Sequence, residues 1–186
     1  MVIPGQREIT RTDLVTIIQL LDKKMEGATP LTAIGGTALT LLGMKSSSRD
    51  VDFILEENNN LLKTIVTVEL YKLGCETQIQ EKGTIVATAL PRDYRKRSLE
   101  DKEISESLQH IQLRILSPLD VILTKLARFD EKDQVDITSI LRMMKYPFKD
   151  IEKRFQQYLR LYPEKRKPEY TEKFERLKRL YQDVLE

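Results

Sequence analysis

The chain has 186 residues, 40% of them hydrophobic, and a formal net charge of +2 with both signs mixed. That length allows one well-packed domain, alone or with a small helical appendage, and the charge does not require nucleic acid as a partner. The single cysteine, Cys75, excludes an internal disulfide and a zinc site built from several cysteines. No signal-peptide core or membrane-spanning apolar run is present, so we expect a cytoplasmic protein.

Apolar periodicity divides the chain into a first part that mixes strands with helices and a second part that is wholly helical. Strands are predicted at residues 31–34, 51–55, 76–80, 84–90 and 111–115. Helices are predicted at residues 12–25, 37–42, 56–73, 118–129, 131–144, 151–161 and 170–185, and the charged segment 91–106 is predicted to be an exposed loop. We therefore expect an α+β fold, with residues 1–116 as the mixed core and residues 117–186 as a helical part packed on it.

Two aspartates stand out in the predicted strand that follows a loop of three serines. Asp50 and Asp52 are two residues apart, so their side chains share one face of the strand, while Val51 and Phe53 form the opposite, buried face. Carboxylates held this close repel each other, which favours a cation beside them. Their oxygens suit a hard ion such as Mg²⁺, and such ions bind nucleoside triphosphates.

A glycine pair supplies the second half of this candidate site. Gly35 and Gly36 open a predicted short helix, where backbone N–H groups can face phosphate oxygens without obstruction by a side chain. The Thr37 hydroxyl would add a donor, and Ser48 and Arg49 directly precede the acids and are candidates for the same phosphates. Taken alone, either half is better explained as an ordinary turn or an exposed edge strand. Joined in one unit, they favour a phosphate and metal site.

These residues resemble a known signature. GGTAL, a helix and then SRDVDF is similar to the DNA polymerase β-like nucleotidyltransferase superfamily, and most similar to its small prokaryotic members, which include toxins of the abortive-infection type. The spacing of 13 residues between Gly36 and Asp50 lies within the range of that family. The later stretch SPLDVILTKLARFDEKDQVDI resembles the second segment of the family, in which a lysine-bearing helix precedes an aspartate-bearing helix.

The resemblance implies a mixed sheet flanked by helices and a specific activity. That activity is the transfer of a nucleoside monophosphate from a nucleoside triphosphate such as ATP to an acceptor hydroxyl, with Mg²⁺ or Mn²⁺ as cofactor. The acceptor would be an RNA such as tRNA, a protein or a small molecule, and a toxin role would add an antitoxin partner. The catalytic residues that the resemblance implies are Asp50 and Asp52 as metal ligands, Lys125 as a phosphate contact and Asp133 as a supporting acid.

Helical spacing adds detail to the second segment. Lys125 and Arg128 are three residues apart on one predicted helix face, which makes Arg128 a second candidate phosphate contact. Asp133 extends the apolar stripe of the following helix and is expected to face inward towards a cation. The alternative for Asp133 is an ordinary acid in the first turn of a helix.

The sequence departs from the family signature at one point. Many members carry a third metal-binding acid on a neighbouring strand, but the predicted strand 84–90 contains none. Glu81 precedes that strand and Asp93 follows it, so either is a candidate. The alternative function is therefore a catalytically inactive module that binds nucleotide, RNA or a partner protein.

Overall fold

The computed structural model describes residues 8–55, 60–72, 74, 76–81 and 90–185, with the backbone alone for 60–62 and 76–81. The described residues form two compact units. One unit comprises those of Met1–Thr84 and Arg95–Leu116, and the other comprises those of Ile85–Tyr94 and Ser117–Glu186. Among the described helices, none combines the length and the apolar composition that crossing a bilayer requires.

The first unit combines strands with helices. Its strands are β1 (Ile9–Thr10), β2 (Thr29–Ala33), β3 (Ser47–Ser48), β4 (Asp50–Leu55), β5 (Glu76–Glu81) and β6 (Ile111–Ile115). The helices of this part of the chain are α1 (Arg11–Asp22), α2 (Gly35–Leu41), α3 (Asn60–Lys72), α4 (Tyr94–Arg97) and α5 (Lys102–Glu106).

Four of these strands form a mixed sheet in the order β5-β4-β2-β6. Strand β2 is antiparallel to β4 and parallel to β6, and β4 is parallel to β5. The two short strands β1 and β3 pair antiparallel in a separate sheet. The predicted α+β class, with a mixed sheet, accompanying helices and a C-terminal helical part, is confirmed.

Helix α1 is held at both ends by side chains. At its start, the Thr10 hydroxyl accepts the Asp13 N–H at 3.3 Å, and the Asp13 carboxylate accepts the Thr10 N–H at 3.0 Å. This reciprocal capping box satisfies two donors that the first helical turn leaves open. At its end, the buried Asp22 carboxylate accepts the backbone N–H groups of residues 109–111 at 2.9, 2.8 and 2.6 Å. Asp22 thereby ties α1 to the entry of β6.

The second unit is helical, as predicted. Its helices are α6 (Pro118–Leu126), α7 (Glu131–Met144), α8 (Phe148–Leu161) and α9 (Lys167–Leu185). Ser117 caps α6 by accepting the Asp120 N–H at 3.2 Å, and Asp130 caps α7 by accepting the Asp133 N–H at 2.9 Å. The helix predicted to reach Phe129 ends at Leu126, because Phe129 adopts a left-handed conformation with φ of +57°.

A buried charge network joins α6 to α8 within this unit. Arg154 donates from Nε and Nη2 to the two Asp120 oxygens at 2.6 and 3.2 Å, and its Nη1 lies 2.8 Å from Asp93. The Tyr158 hydroxyl and the Ser117 hydroxyl also donate to Asp120, at 3.1 and 2.7 Å. Burial lowers the pKa of Arg154, but the hydrogen bonds that Arg154 donates to Asp120 and Asp93 outweigh this effect and leave the pKa above its ordinary value. The network is hydrogen-bonded throughout, as a buried ion pair requires.

The expectation of an exposed loop over residues 91–106 is wrong. Helices α4 and α5 lie in this segment, and Ile104 of α5 is buried. Asp101 caps α5 by accepting the Ile104 N–H at 3.1 Å and pairs with Arg11 at 2.7 Å. Helix α5 is fixed by one cap, one buried side chain and one ion pair, and a helix this short has no apolar stripe for periodicity to detect.

Candidate functional site

The end of β2 lies beside the acids of β4. The register pairs Ala33 with Phe53, and the Ile34 N–H donates to the Asp52 carbonyl at 3.1 Å. The chain then turns at Gly35, whose φ of +55° lies in the left-handed region that glycine tolerates. Antiparallel pairing therefore places the start of α2 next to Asp52.

A side chain at either glycine would meet a neighbouring side chain. A Cβ atom at Gly35 would lie 3.3 Å from Asp52 Oδ2, and one at Gly36 would lie 2.6 Å from Ser48 Oγ. Carbon and oxygen atoms do not approach to 2.6 Å without a bond, so a side chain at Gly36 would displace the buried Ser48. Because the two glycines have no side chains, the backbone at the start of α2 lies directly against Asp52 and Ser48. A turn alone does not require so close an approach.

Thr37 holds the strand that carries the two acids. Its fully buried hydroxyl donates to the Asp50 carbonyl at 3.2 Å and accepts the Asp52 N–H at 2.9 Å. The sequence predicted that this hydroxyl contacts phosphate. In the structure its donor and its acceptor are both used by the β4 backbone instead. Thr37 instead fixes the main chain at Asp50 and Asp52.

The exposure of the first four residues of β4 alternates as the spacing predicted, and the last two residues are both buried. Asp50 is exposed and Asp52 is half-buried, while Val51 and Phe53 are buried. The two carboxylates therefore belong to the open face of the strand. Of the two flanking candidates, Arg49 is exposed and Ser48 is buried.

Strand β5 sets the backbone positions next to the acids. It runs parallel to β4, and the register places Glu76 opposite Asp50 and Glu81 opposite Leu55. Glu81, one candidate for a further acid, therefore lies at the other end of the strand from Asp50. The register position beside Asp50 belongs to Glu76, which the sequence reasoning had not considered. The order of the acids along the sequence does not show which of them lies beside Asp50, because that depends on the direction and register of β5.

The second candidate for a further acid is also accounted for. Asp93 pairs with the buried Arg154 at 2.8 Å and belongs to the network of the helical unit. Residues 84–89, which make up nearly all of the predicted next strand, lie outside the described residues.

The chemistry of the donor set at β4 suits a magnesium ion. Within the part of the chain that the structure describes, no group of three or more histidine, cysteine, aspartate or glutamate side chains is gathered for a metal. Mg²⁺ keeps several waters and is bound through one or two carboxylates together with the phosphates of its substrate. Asp50 and Asp52 supply two carboxylates beside the glycine pair at the start of α2, and these two ligands fit this mode of binding.

A second group of charged residues lies in the helical unit. Lys125 Nζ is 3.0 Å from Asp133 Oδ1 and 2.7 Å from Asp136 Oδ2. Arg128 donates from Nε and Nη2 to the two oxygens of Asp133 at 2.8 and 2.9 Å, and its Nε is also 2.9 Å from Asp130. Asp133 is 1% exposed, so it faces inward, and the cations that it faces are Lys125 and Arg128.

The electrostatics of this group keep Asp133 charged. Burial raises the pKa of the carboxyl, but the hydrogen bonds from Arg128 and Lys125 outweigh it, and the pKa lies below its usual range. The same hydrogen bond to Asp133 raises the pKa of Arg128. Both partners therefore remain ionised across the physiological pH range.

Sequence reasoning missed three acidic or basic residues of the helical unit, namely Asp120, Asp136 and Arg154. A usable signal existed for two of them. Asp120 interrupts the apolar run of α6, and Arg154 lies on the apolar stripe of α8 beside Phe155. A charge on an apolar stripe indicates a buried partner, since an unpaired one is costly to bury. Asp136 had the weaker signal of lying three residues after Asp133, on the same face of α7.

The sequence model of one family, DUF6036, described as a nucleotidyltransferase of unknown function, matches residues 12–182. No curated protein and no solved structure matches the chain.

Proposed function

Because the chain belongs to the DUF6036 family of nucleotidyltransferases of unknown function, we propose that it is a metal-dependent enzyme of the DNA polymerase β-like type. It would move a nucleoside monophosphate from a nucleoside triphosphate to an acceptor hydroxyl. One observation carries the proposal, namely the approach of a side-chain-free backbone at Gly35 and Gly36 to Asp52 and Ser48. This approach brings the start of α2 directly beside the strand that carries the two carboxylates.

The residues of the first unit would have three roles: metal binding, triphosphate binding and positioning of the two carboxylates. Asp50 and Asp52 would hold Mg²⁺ or Mn²⁺, and the bound ion would neutralise phosphate charge and align the triphosphate for in-line displacement. Gly35 and Gly36 would let the triphosphate approach the backbone at the start of α2. Thr37 would keep the two carboxylates at a fixed spacing, because it binds the main chain at both positions.

The reaction balances without a further reagent. The oxygen of the acceptor forms a bond to the α-phosphorus, the bond from that phosphorus to the oxygen of the leaving pyrophosphate breaks, and the hydroxyl proton passes to water. The exposed Arg49 is the proposed phosphate contact next to the acids, since its guanidinium can form paired hydrogen bonds with phosphate. In the helical unit, Lys125 and Arg128 are the proposed phosphate contacts and Asp133 is the acid that supports them.

The acceptor and the cellular role come from the resemblance alone. An RNA such as tRNA, a protein or a small molecule would supply the hydroxyl, and a toxin role would pair the protein with an antitoxin. Expression of the protein in a bacterium without a partner tests the toxin role. Growth arrest by the wild type, lost in the Asp50→Asn/Asp52→Asn variant, would support it, and unchanged growth would contradict it.

Transfer of a labelled nucleotide tests the activity itself. The four nucleoside triphosphates, each labelled at the α-phosphate, are incubated with the protein, Mg²⁺ and cellular RNA or protein. We expect transfer by the wild type and by an Asp150→Asn/Asp183→Asn control, whose exposed aspartates lie on α8 and α9. We expect loss of transfer in Asp50→Asn/Asp52→Asn. No transfer, or equal transfer by that variant, would contradict the enzymatic proposal, and nucleotide binding without transfer would favour the inactive module.

A further inference from the structure

A polar cavity lies along β6, the last strand of the mixed sheet. Its volume is about 480 Å³, which is within the range of small-molecule sites, and every residue that lines it belongs to the first unit. The lining includes the strand itself over residues 110–114, together with Arg95, Glu100 and Ser105. The two aspartates of β4 do not line this cavity, so it is separate from the site described above.

The hydrogen bonds of β6 show which of its backbone groups face away from the sheet. Neighbouring residues of a strand direct their N–H and C=O groups to opposite sides. The His110 carbonyl accepts the Thr29 N–H at 2.8 Å, and the Leu116 N–H donates to β2 at 2.9 Å. The even-numbered residues of this stretch therefore face β2, and residues 111, 113 and 115 face outward.

The first and last of these outward positions are bonded. Ile115 and Leu99 exchange two backbone hydrogen bonds, at 2.7 and 2.9 Å. The Ile111 N–H donates to the buried Asp22 carboxylate at 2.6 Å. Leu113 lies between them and is 3% exposed, yet its outward N–H and C=O have no partner in the part of the chain that the structure describes. Because an unpaired buried backbone group costs free energy, this pair beside a cavity points to a ligand.

The open stretch of β6 fits a small molecule better than another strand. The closed positions 111 and 115 are about 13 Å apart along the strand, which is shorter than a typical strand. The chain after Leu99 leaves β6 because Asp101 caps α5. A partner for the N–H and C=O of one residue must carry an acceptor beside a donor, as an amide or the edge of a nucleobase does.

The charges of the lining favour an anion. Its charged side chains are two arginines and one glutamate. Arg114 pairs with Glu100 at 3.1 Å, but no acid of the described residues lies within ion-pair distance of the half-exposed Arg95. A guanidinium without a partner can form paired hydrogen bonds with a carboxylate or a phosphate.

We propose that this cavity binds a small anion that carries an N–H beside a C=O, the chemistry shared by nucleoside monophosphates and N-acyl amino acids. The amide-type edge of the ligand pairs with the backbone of Leu113, and its phosphate or carboxylate pairs with Arg95. The site needs no metal and does not depend on the proposed transfer reaction.

Amide hydrogen exchange, followed by NMR for the full-length protein in EDTA, tests the contact with Leu113. In the free protein, the Leu113 N–H should exchange faster than the bonded Ile115 N–H, which is the internal control. Uridine monophosphate and N-acetylglycine are the probes. At about ten times its dissociation constant, a probe that binds should slow exchange at Leu113 about tenfold, because exchange then requires the empty site. The probe that does so identifies the class of ligand.

Three further probes separate the two parts of the ligand. Uridine and N-acetylglycinamide keep the amide-type edge but lack the charge, and ribose 5-phosphate keeps the charge but lacks the edge. Each should bind about tenfold more weakly than the matching anion, as expected for the loss of a charge-assisted hydrogen bond. Equal exchange at Leu113 and Ile115 in the free protein, no slowing of Leu113 by either anion, or equal binding of the matching neutral probe would overturn the proposal.

Variants of α4 test the role of Arg95. Arg95→Met should reduce the affinity for the anion to that of the neutral probe, and Arg95→Lys, which keeps the charge, should bind more tightly than Arg95→Met. Arg97→Met changes an exposed arginine of the same helix and should bind as the wild type does. Circular dichroism checks that each variant is folded, and Arg95→Gln replaces Arg95→Met if that variant is not. Unchanged affinity in the folded neutral variant would contradict the assignment of Arg95.

Discussion

The Thr37 hydroxyl accepts a hydrogen bond from the Asp52 N–H at 2.9 Å, across a separation of 15 residues. The same hydroxyl donates to the main chain at Asp50, so one buried side chain of α2 fixes both acid-bearing positions of β4. The spacing of the two carboxylates therefore depends on a residue that the sequence presents as a phosphate ligand.

Replacement of Thr37 by valine should uncouple α2 from β4. The change keeps the shape of the side chain but leaves the Asp52 N–H and the Asp50 carbonyl without the hydroxyl, at a cost of about 1–3 kcal/mol in the free energy of unfolding. Urea denaturation measures this cost. Thr37→Ser keeps the hydroxyl and should lose much less of the stability and of the transfer activity. Equal losses in the two variants would contradict the role of the hydroxyl.

A methyl group at Gly36 should disturb the site through Ser48. The Cβ of Gly36→Ala would lie 2.6 Å from Ser48 Oγ, and overpacking of this kind costs about 1–3 kcal/mol. The double variant Gly36→Ala/Ser48→Ala removes that oxygen and should recover most of the stability, as measured by thermal unfolding. Gly27→Ala is the control, since no atom lies within 4 Å of the added carbon. If the double variant does not recover stability, the steric conflict at Gly36 is not with Ser48 Oγ.

Acid should weaken the contact between Asp22 and the entry of β6. Burial raises the pKa of Asp22, but three backbone N–H groups lower it by more, so the folded-state pKa lies below the ordinary value of 3.8. A depressed pKa contributes stability above the unfolded-state value and loses it as the pH falls through the folded-state value. The wild type should therefore lose stability below about pH 5.

Two aspartate-to-asparagine variants show how much of the loss of stability in acid comes from Asp22. Asp22→Asn should be less stable than the wild type at pH 7 by about 1–3 kcal/mol, and the difference should shrink as the pH falls towards about 2. The variant Asp150→Asn, at an exposed position, should show the same dependence of stability on pH as the wild type. Urea unfolding at a series of pH values gives the comparison, and a constant difference between Asp22→Asn and the wild type would contradict the assignment.

The ion pair between Asp120 and Arg154 should show strong coupling. Arg154→Met leaves Asp120 buried without its cation, which typically costs about 3–5 kcal/mol, while exposed Arg160→Met should change stability by less than about 0.5 kcal/mol. The double variant Asp120→Leu/Arg154→Met removes both charges and should be more stable than the sum of the single changes predicts. Additive losses in this double-mutant cycle would mean that the two side chains do not depend on each other.

Local sequence features predicted the elements that depend on local rules. Alternation identified β4 and β6, Ser117-Pro118 marked the start of α6, and Gly35 and Gly36 marked the start of α2. Each of these follows from a few neighbouring residues. The prediction failed over 91–106, where short helices depend on a distant partner such as Arg11 for Asp101.

The candidate site was predictable in its composition and not in its contacts. The residue types at 35, 36, 50 and 52 pointed to phosphate and metal chemistry, since only a few side chains serve it. The role of Thr37 depends on the register between two strands and the helix that joins them, and the carboxylate pair around Lys125 depends on how α6 packs against α7. Those relations are set by tertiary structure, which the spacing of residues does not encode.

Calorimetric titration with nucleoside triphosphates, in the presence and absence of Mg²⁺, tests the central claim most directly. That claim is a phosphate and metal site built from Asp50, Asp52 and the glycine pair. We predict triphosphate binding that requires Mg²⁺ in the wild type and in the Asp150→Asn/Asp183→Asn control, and that is lost in Asp50→Asn/Asp52→Asn. Binding that is independent of the metal, or that is the same in the Asp50→Asn/Asp52→Asn variant, would contradict it.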